Sequence, residues 1–226
     1  MHAQLKTAAS LQTAAVRLRL FGRVQAVGYR PFVLRLAREL HINGSVQNLL
    51  GEVEIIAEGS RGALESFTSA LIARAPPLAA PQVGWCEEIV PRGRGDFVIL
   101  DSGSSTAANI FVPSDAFTCA DCLGELTDPR DRRHGYPFIN CTQCGPRYTL
   151  IEALPYDRGN TTMARFALCP QCKAEYSRPD DRRFHAEPLA CPLCGPQLTL
   201  EERDVASHMR DEALLRAVQL LEHGAI

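Results

Sequence analysis

"AVRLRLFGRVQAVGYRPFVLRLARELHI", residues 15–42, decides how the rest of the chain is read. Its first eight residues alternate apolar and charged side chains, the period-2 pattern of a strand with one buried face. From Pro31 the period changes. Phe32, Val33, Leu36, Ala37 and Leu40 fall on one side of a helix that carries proline in its first turn. Between strand and helix the chain places Gly22, Arg23, Gly28 and Arg30. Backbone N–H groups of such a loop and of the first helical turn converge, and the helix dipole favours an anion there. Arg30 adds a planar, permanently charged fork suited to phosphate oxygens. The residues alone leave two uses open: an anion cradle, or a surface turn with a surface arginine.

Outward from this stretch, "GSVQNLL" (44–50) and "GEVEIIAEG" (51–59) read as two short strands meeting in a hairpin at Leu50-Gly51. "RGALESFTSALIARA" (61–75) is a second amphipathic helix with Leu64, Phe67, Leu71 and Ile72 on one side, ending before Pro76-Pro77. "QVGWCEEIV" (82–90) and "DFVILD" (96–101) are strand-like. The order is that of a ferredoxin-like α+β sandwich, βαββαβ with a further strand closing the sheet, and it predicts both helices on one face. Asn48, on the strand after the first helix, offers an amide able to hold a water and accept its proton. Cys86, beside Trp85 in a strand, is expected as a buried small hydrophobe.

The chain has 226 residues, 46% hydrophobic and 22% charged, with a formal net charge of −2 and a pI near 6.3. That balance gives no basic footprint of a nucleic-acid binder. Up to Ser102 there are 11 cationic against 9 acidic side chains, and beyond it 13 against 17, so the second half is the acidic one. No apolar run approaches the roughly 18 residues of a membrane span. The opening residues lack the apolar core of a secretory signal, which makes the cytoplasm the expected compartment. Residues 1–14 read as a disordered tail, 15–102 as the first domain and the small-residue stretch 103–113 as a linker. Residues 114–200 read as a second domain and 201–226 as the truncated start of a third.

The second domain is an internal repeat. Cys119, Cys122, Cys141 and Cys144 recur fifty residues later as Cys169, Cys172, Cys191 and Cys194. "DPRDRR" (128–133) returns as "RPDDRR" (178–183), and "CGPRYTL" as "CGPQLTL". Each copy is C-x2-C-x18-C-x2-C, a zinc spacing. Four thiolates at about 2.3 Å settle into a tetrahedron around zinc and leave no open position, so two structural Zn2+ ions are expected. The intervening loops are poor in apolar residues, so metal binding would supply much of their folding free energy, ~10 kcal/mol or more per site. Glycine-proline after the last cysteine of each copy is expected to turn backbone N–H groups toward sulfur. Pairing within each copy is expected, with pairing across copies open. His134 and His185 are expected to have surface or packing roles. Arg130, Arg132, Arg133 and Arg147 with Tyr136 and Phe138 could form a basic-aromatic surface. Asp128, Asp131, Asp180 and Asp181 among them point instead to intramolecular ion pairs, and no nucleic acid is expected as partner.

"FGRVQAVGYR" resembles the signature of the acylphosphatase family, and "GSVQN" resembles its second motif. The likeness covers roughly residues 15–101. It implies that Arg30 binds the phosphate and that Asn48 orients the attacking water. The loop amides of Gln25, Ala26, Val27, Gly28 and Tyr29 complete the cradle. Ala26 departs from the family pattern, which has glycine there. If φ > 0 is required, alanine costs roughly 1 kcal/mol. That departure motivates an alternative: a catalytically weak or inactive module that binds acyl phosphate and serves as a zinc scaffold.

"CADCLGELTDPRDRRHGYPFINCTQCGPRYTLIEALPYDRGNTTM" (119–163) and its degenerate copy resemble the paired fingers of the HypF family of nickel–iron hydrogenase maturation carbamoyltransferases. "LLRAVQLLEHGAI" looks like the start of that family's YrdC-like domain. The resemblance implies a portion that splits carbamoyl phosphate into phosphate and carbamate. ATP is used only in domains beyond residue 226. There the carbamoyl group is passed to the C-terminal cysteine of a partner, HypE, on the way to the cyanide ligands of the hydrogenase iron.

Overall fold

The computed structural model describes residues 13–103, 114–203 and 207–224. The expected linker lies outside these residues except for Gly103, and so does the expected tail except for Thr13 and Ala14. Those two belong to the first strand, β1 (Thr13–Arg23). Helix α1 (Tyr29–Glu39), β2 (Asn43–Asn48), β3 (Val53–Ser60), α2 (Arg61–Ala73), β4 (Ala80–Ile89) and β5 (Phe97–Ile99) follow. They form one sheet in the order β4-β1-β3-β2-β5, antiparallel throughout except for the parallel β2–β5 pair.

Register places the alternating residues. Leu18 of β1 and Val46 of β2 both stand opposite Ile55 of β3, so all three share one face. All three are fully buried against Val33, Leu36 and Ala37 of α1 and Leu64, Phe67 and Leu71 of α2. Each such side chain contributes about 1.5–3 kcal/mol by leaving water. Tyr29 Oη donates to the carbonyl of Leu71 at 3.1 Å and ties one helix to the other. Ser60 caps α2, its hydroxyl accepting from the amide of Ala63.

Two side chains expected in this core lie elsewhere. Ile72 is 42% exposed, because one residue beyond Leu71 is about 100° further round the helix. Cys86 is exposed and Trp85 is 41% exposed. β4 is an edge strand, paired only with β1, and its side chains stay open to solvent.

The second domain carries helices α3 (Ala120–Thr127) and α4 (Pro170–Ser177), fifty residues apart, each entered from the first cysteine of its repeat. Little apolar core surrounds them. Cysteines are three of the seven buried residues in the first cluster and three of five in the second, which leaves the sulfurs as the centre of each unit. β6 (Thr199–Leu200) and β7 (His208–Met209) form a short antiparallel ribbon ahead of α5 (Arg210–Glu222). That ribbon bridges the expected boundary at residue 200. Among the described residues no helix is long and apolar enough to cross a membrane.

Candidate active site and metal centres

The loop between β1 and α1 has the backbone of an anion nest. Ala26 has φ 59° and Gly28, which caps α1, has φ 71°. Left-handed residues alternating with ordinary ones turn successive N–H groups to one side. Among the described residues the amides of Gln25, Ala26, Val27 and Gly28 have no protein acceptor. Ala26 therefore does occupy a conformation that suits glycine. Gly28 is confined further, since a Cβ there would meet Thr142 Cβ at 3.1 Å. The Gln25 side chain fixes the loop to the β2–β3 hairpin, donating to the carbonyls of Leu49 at 2.7 Å and Glu52 at 2.9 Å.

Arg30, in the first turn of α1, and Asn48, the last residue of β2, meet beside this nest, and both are buried. With its oxygen inward, the Asn48 amide accepts from Arg30 Nε at 3.2 Å and NH2 at 3.3 Å. The opposite orientation donates from Nδ2 to the carbonyl of Tyr156 at 3.3 Å but sets amide N–H against guanidinium N–H. The first is the better arrangement.

Sequence reasoning missed what covers the nest. The second domain lays Tyr156 and Glu187 over it and sets Asp157 against Arg30. Arg30 NH1 lies 2.9 Å from Asp157 Oδ1 and NH2 lies 3.0 Å from Glu187 Oε1. Glu187 Oε2 accepts from the amide of Arg158 at 3.0 Å and from Tyr176 Oη at 2.7 Å. Burial pushes the Glu187 carboxyl up, and Arg30 and Tyr176 pull against that. His185 packs on the rings of Phe184 and Tyr176, and its pKa falls to about 4 through burial first and Arg30 second. The cavity left over the nest is about 20 Å³, on a measure by which one water needs roughly 10–15 Å³.

Arg147, grouped with surface arginines from sequence, is instead 3% exposed. Its Nε donates to the carbonyl of Ala26 at 2.7 Å, and its other nitrogens donate to the carbonyls of Cys141, Cys144 and Pro146. The cradle loop is thus tied to the end of the first cysteine repeat. No local pattern around Arg147, Tyr156, Asp157 or Glu187 marks them as neighbours of residue 26 or 30. The partial signal was that "PYDRGNTTM" carries no cysteine yet belongs to the finger resemblance.

The eight cysteines gather as two sets, each from one repeat: Cys119, Cys122, Cys141, Cys144 and Cys169, Cys172, Cys191, Cys194, with sulfurs within 4.8 Å of one another. Four ligands about 2.3 Å from a tetrahedral centre lie about 3.8 Å apart. Cys119–Cys141 and Cys141–Cys144 are both 3.8 Å apart, Cys169–Cys191 is 3.8 Å, and Cys191–Cys194 and Cys172–Cys194 are 3.6 Å. The donor set and its spacing fit zinc. His134 and His185 stand outside both sets.

The hydrogen bonds to sulfur differ from expectation. Backbone donors to sulfur include Gln143, to Cys141, and Cys172, to Cys169, neither of them in the glycine-proline turns. The side-chain donors cross between repeats. Arg132 NH2 reaches Cys172 Sγ at 3.3 Å, and Arg182 reaches Cys122 Sγ at 3.2 Å. Arg132 and Arg133 also pair with Glu175, while Arg182 and Arg183 pair with Glu125. Burial raises the Glu175 carboxyl, but Arg133 and Arg132 outweigh it and hold the pKa at about 2. The motif arginines form an ion-pair clamp between the two fingers with Glu125 and Glu175, while motif aspartates pair locally, Asp128 with Arg130 and Asp181 with Arg178.

Two family models match the chain. The acylphosphatase family model matches residues 16–99, and the model described as HypF finger matches twice, over 118–151 and 168–201. Carbamoyltransferase HypF2 of Cupriavidus necator is 51% identical over 157 residues, covering 69% of this chain and 20% of that protein. An acylphosphatase of Thermotoga petrophila is 41% identical over 86 residues, 38% of this chain and 94% of that protein. A full-length HypF crystallised in phosphate- and nucleotide-bound form aligns with TM-score 0.83 and 38% identity over 94% of this chain and 28% of its own. HypF of T. kodakarensis aligns with TM-score 0.81 and 44% identity over 93% of this chain and 26% of its own. The chain spans about a fifth of the length of its HypF relatives.

Proposed function

The chain belongs to the acylphosphatase family through residues 16–99 and carries two HypF fingers behind that domain, and from this premise we propose that it hydrolyses the acyl phosphate bond of carbamoyl phosphate as the N-terminal part of a cytoplasmic HypF carbamoyltransferase. The observation that carries the reading is the nest at Ala26 and Gly28, with free amides beside Arg30 and Asn48. Arg30 and the amides hold the phosphate. A water held by Asn48 attacks phosphorus in line, the bond from phosphorus to the acyl oxygen breaks, and phosphate and carbamate leave. Charge developing on the equatorial oxygens falls to Arg30 and the loop N–H groups, fixed in place beforehand. Among the described residues no base is set to deprotonate that water inside the motif, and a substrate oxygen takes the proton.

Two zinc ions, one per cysteine set, hold the fingers. Closed four-thiolate shells leave them structural. ATP chemistry, transfer to the C-terminal cysteine of HypE and cyanide formation belong to parts beyond residue 226, and residues 201–226 open the next domain.

The test is phosphate release from carbamoyl phosphate by this chain. Arg30→Ala is expected to abolish release and Asn48→Ala to cut it by orders of magnitude. Wild-type rates in both variants would overturn the assignment. Ala26 at φ 59° and the small cavity favour a second reading, a module that binds but turns over weakly. Phosphate binding without measurable release from wild type would select it.

A further inference from the structure

We infer that Glu187 of the finger domain is a positioning residue for Arg30, and that Asp157 is a displaceable carboxylate standing where phosphate binds. The inference deepens the proposed hydrolysis and rests on that reading of the site. Two carboxylates share one guanidinium, but they are held very differently. The Glu187 side chain is 2% exposed, and its second oxygen is fixed by the Arg158 amide and the Tyr176 hydroxyl. The Asp157 side chain is 30% exposed, and Arg30 NH1 is its one side-chain partner among the described residues. Asp157 can swing into solvent, whereas Glu187 cannot.

The guanidinium is divided accordingly. Nε faces Asn48, NH2 faces Glu187 and the carbonyl of Tyr156, and NH1 holds Asp157 alone. A phosphate entering the nest therefore takes NH1, the one edge whose present partner has somewhere to go. A phosphate and the Asp157 carboxylate cannot both crowd that edge, since like charges there repel. Glu187 keeps the plane of the guanidinium fixed through the exchange. Fixed geometry at the charge-stabilising group is what a hydrolytic site needs. The finger domain thereby completes a site whose motif lies wholly in the first domain.

The experiment measures the affinity of the 226-residue chain for inorganic phosphate by calorimetry, with zinc content and far-ultraviolet dichroism as folding controls. Asp157→Ala removes a competitor from a half-open ion pair, so affinity is expected to rise about two- to fivefold. Glu187→Gln removes a buried charged partner and frees the guanidinium, so affinity is expected to fall about tenfold or more. Tyr176→Phe, which loosens Glu187 without touching Arg30, is expected to move in the same direction by less, and it serves if Glu187→Gln fails to fold. A merely structural role for both carboxylates would lower affinity in both. Asp157→Ala that weakens or leaves unchanged the phosphate affinity would overturn the displacement. Wild-type affinity in folded Glu187→Gln, or in Tyr176→Phe where the former does not fold, would overturn the positioning. Phosphate affinity needs no turnover. A chain that shows these shifts yet releases no phosphate from carbamoyl phosphate supports this inference and sinks only the hydrolysis.

Discussion

Arg30 NH2 and Glu187 Oε1 are 3.0 Å apart although 157 residues separate them in the chain. The motif arginine is thus oriented by a residue of the other domain, and its guanidinium serves Asn48, Asp157 and Glu187 at once. A lysine keeps the charge but not the fork. Arg30→Lys is expected to retain the fold and to lower phosphate release by about 100-fold, the loss of two or so charge-assisted hydrogen bonds. Steady-state release of phosphate from carbamoyl phosphate checks it, and a rate within threefold of wild type would count against the fork.

Ala26 sits at φ 59°. Ala26→Gly removes the Cβ strain and is expected to stabilise the chain by about 0.5–1 kcal/mol, part of the roughly 1–2 kcal/mol of left-handed strain being offset by glycine's freedom in the unfolded chain. Urea unfolding gives the stability, and the same preparation should release phosphate at least as fast as wild type. Lower stability would mean that the loop does not hold this conformation in solution.

Elemental analysis is expected to return two zinc per chain, because each cysteine set is closed and separate. The fingers have little other core. A strong chelator should therefore unfold them, measured as loss of protection from proteolysis across residues 114–200, while the first domain with its own core stays resistant. One zinc per chain would contradict the pairing.

The two halves of the arginine clamp are expected to act independently on stability and alike in size. Glu125→Gln and Glu175→Gln each strip a carboxylate from a pair of arginines of the opposite finger, at a cost of about 1.5–3 kcal/mol apiece. Glu175 has a folded pKa of about 2. Its contribution is present above the ordinary carboxylate range and is lost as pH falls from there through about 2. Urea unfolding of both single variants and the double variant near pH 7 measures the two costs, and no change in either single variant would show the clamp to be idle.

His185 is held neutral, with its pKa lowered to about 4 by burial and Arg30. Between the ordinary histidine range and about 4 the unfolded chain binds a proton that the folded chain does not, so stability falls as pH drops through that window. At φ 52° the position also suits asparagine. His185→Asn loses the ring packing on Phe184 and Tyr176 but also the protonation penalty, so its melting temperature relative to wild type is expected to be higher at pH 5 than at pH 7.5. Equal margins at the two pH values would remove His185 from the account.

Much of this protein is legible from local pattern. The switch from period 2 to period 3.6 around residues 22–31 marks strand, loop and helix, and the turn residues between them mark the nest. The fifty-residue repeat announces two cysteine sets. Such signals survive in sequence because they arise between residues close along the chain, or between chemically identical partners that need only each other. What the tertiary structure alone decided is the roof over the nest. Tyr156, Asp157 and Glu187 meet Arg30 and Asn48 only because the finger region packs on the loop after β1, with Arg147 reaching Ala26 between them. The same holds for Cys86, expected buried as a small apolar thiol in a strand but exposed because that strand lies at the sheet edge. A contact across more than a hundred residues leaves no periodicity, and a strand's place in the sheet is set by its neighbours rather than by its own residues.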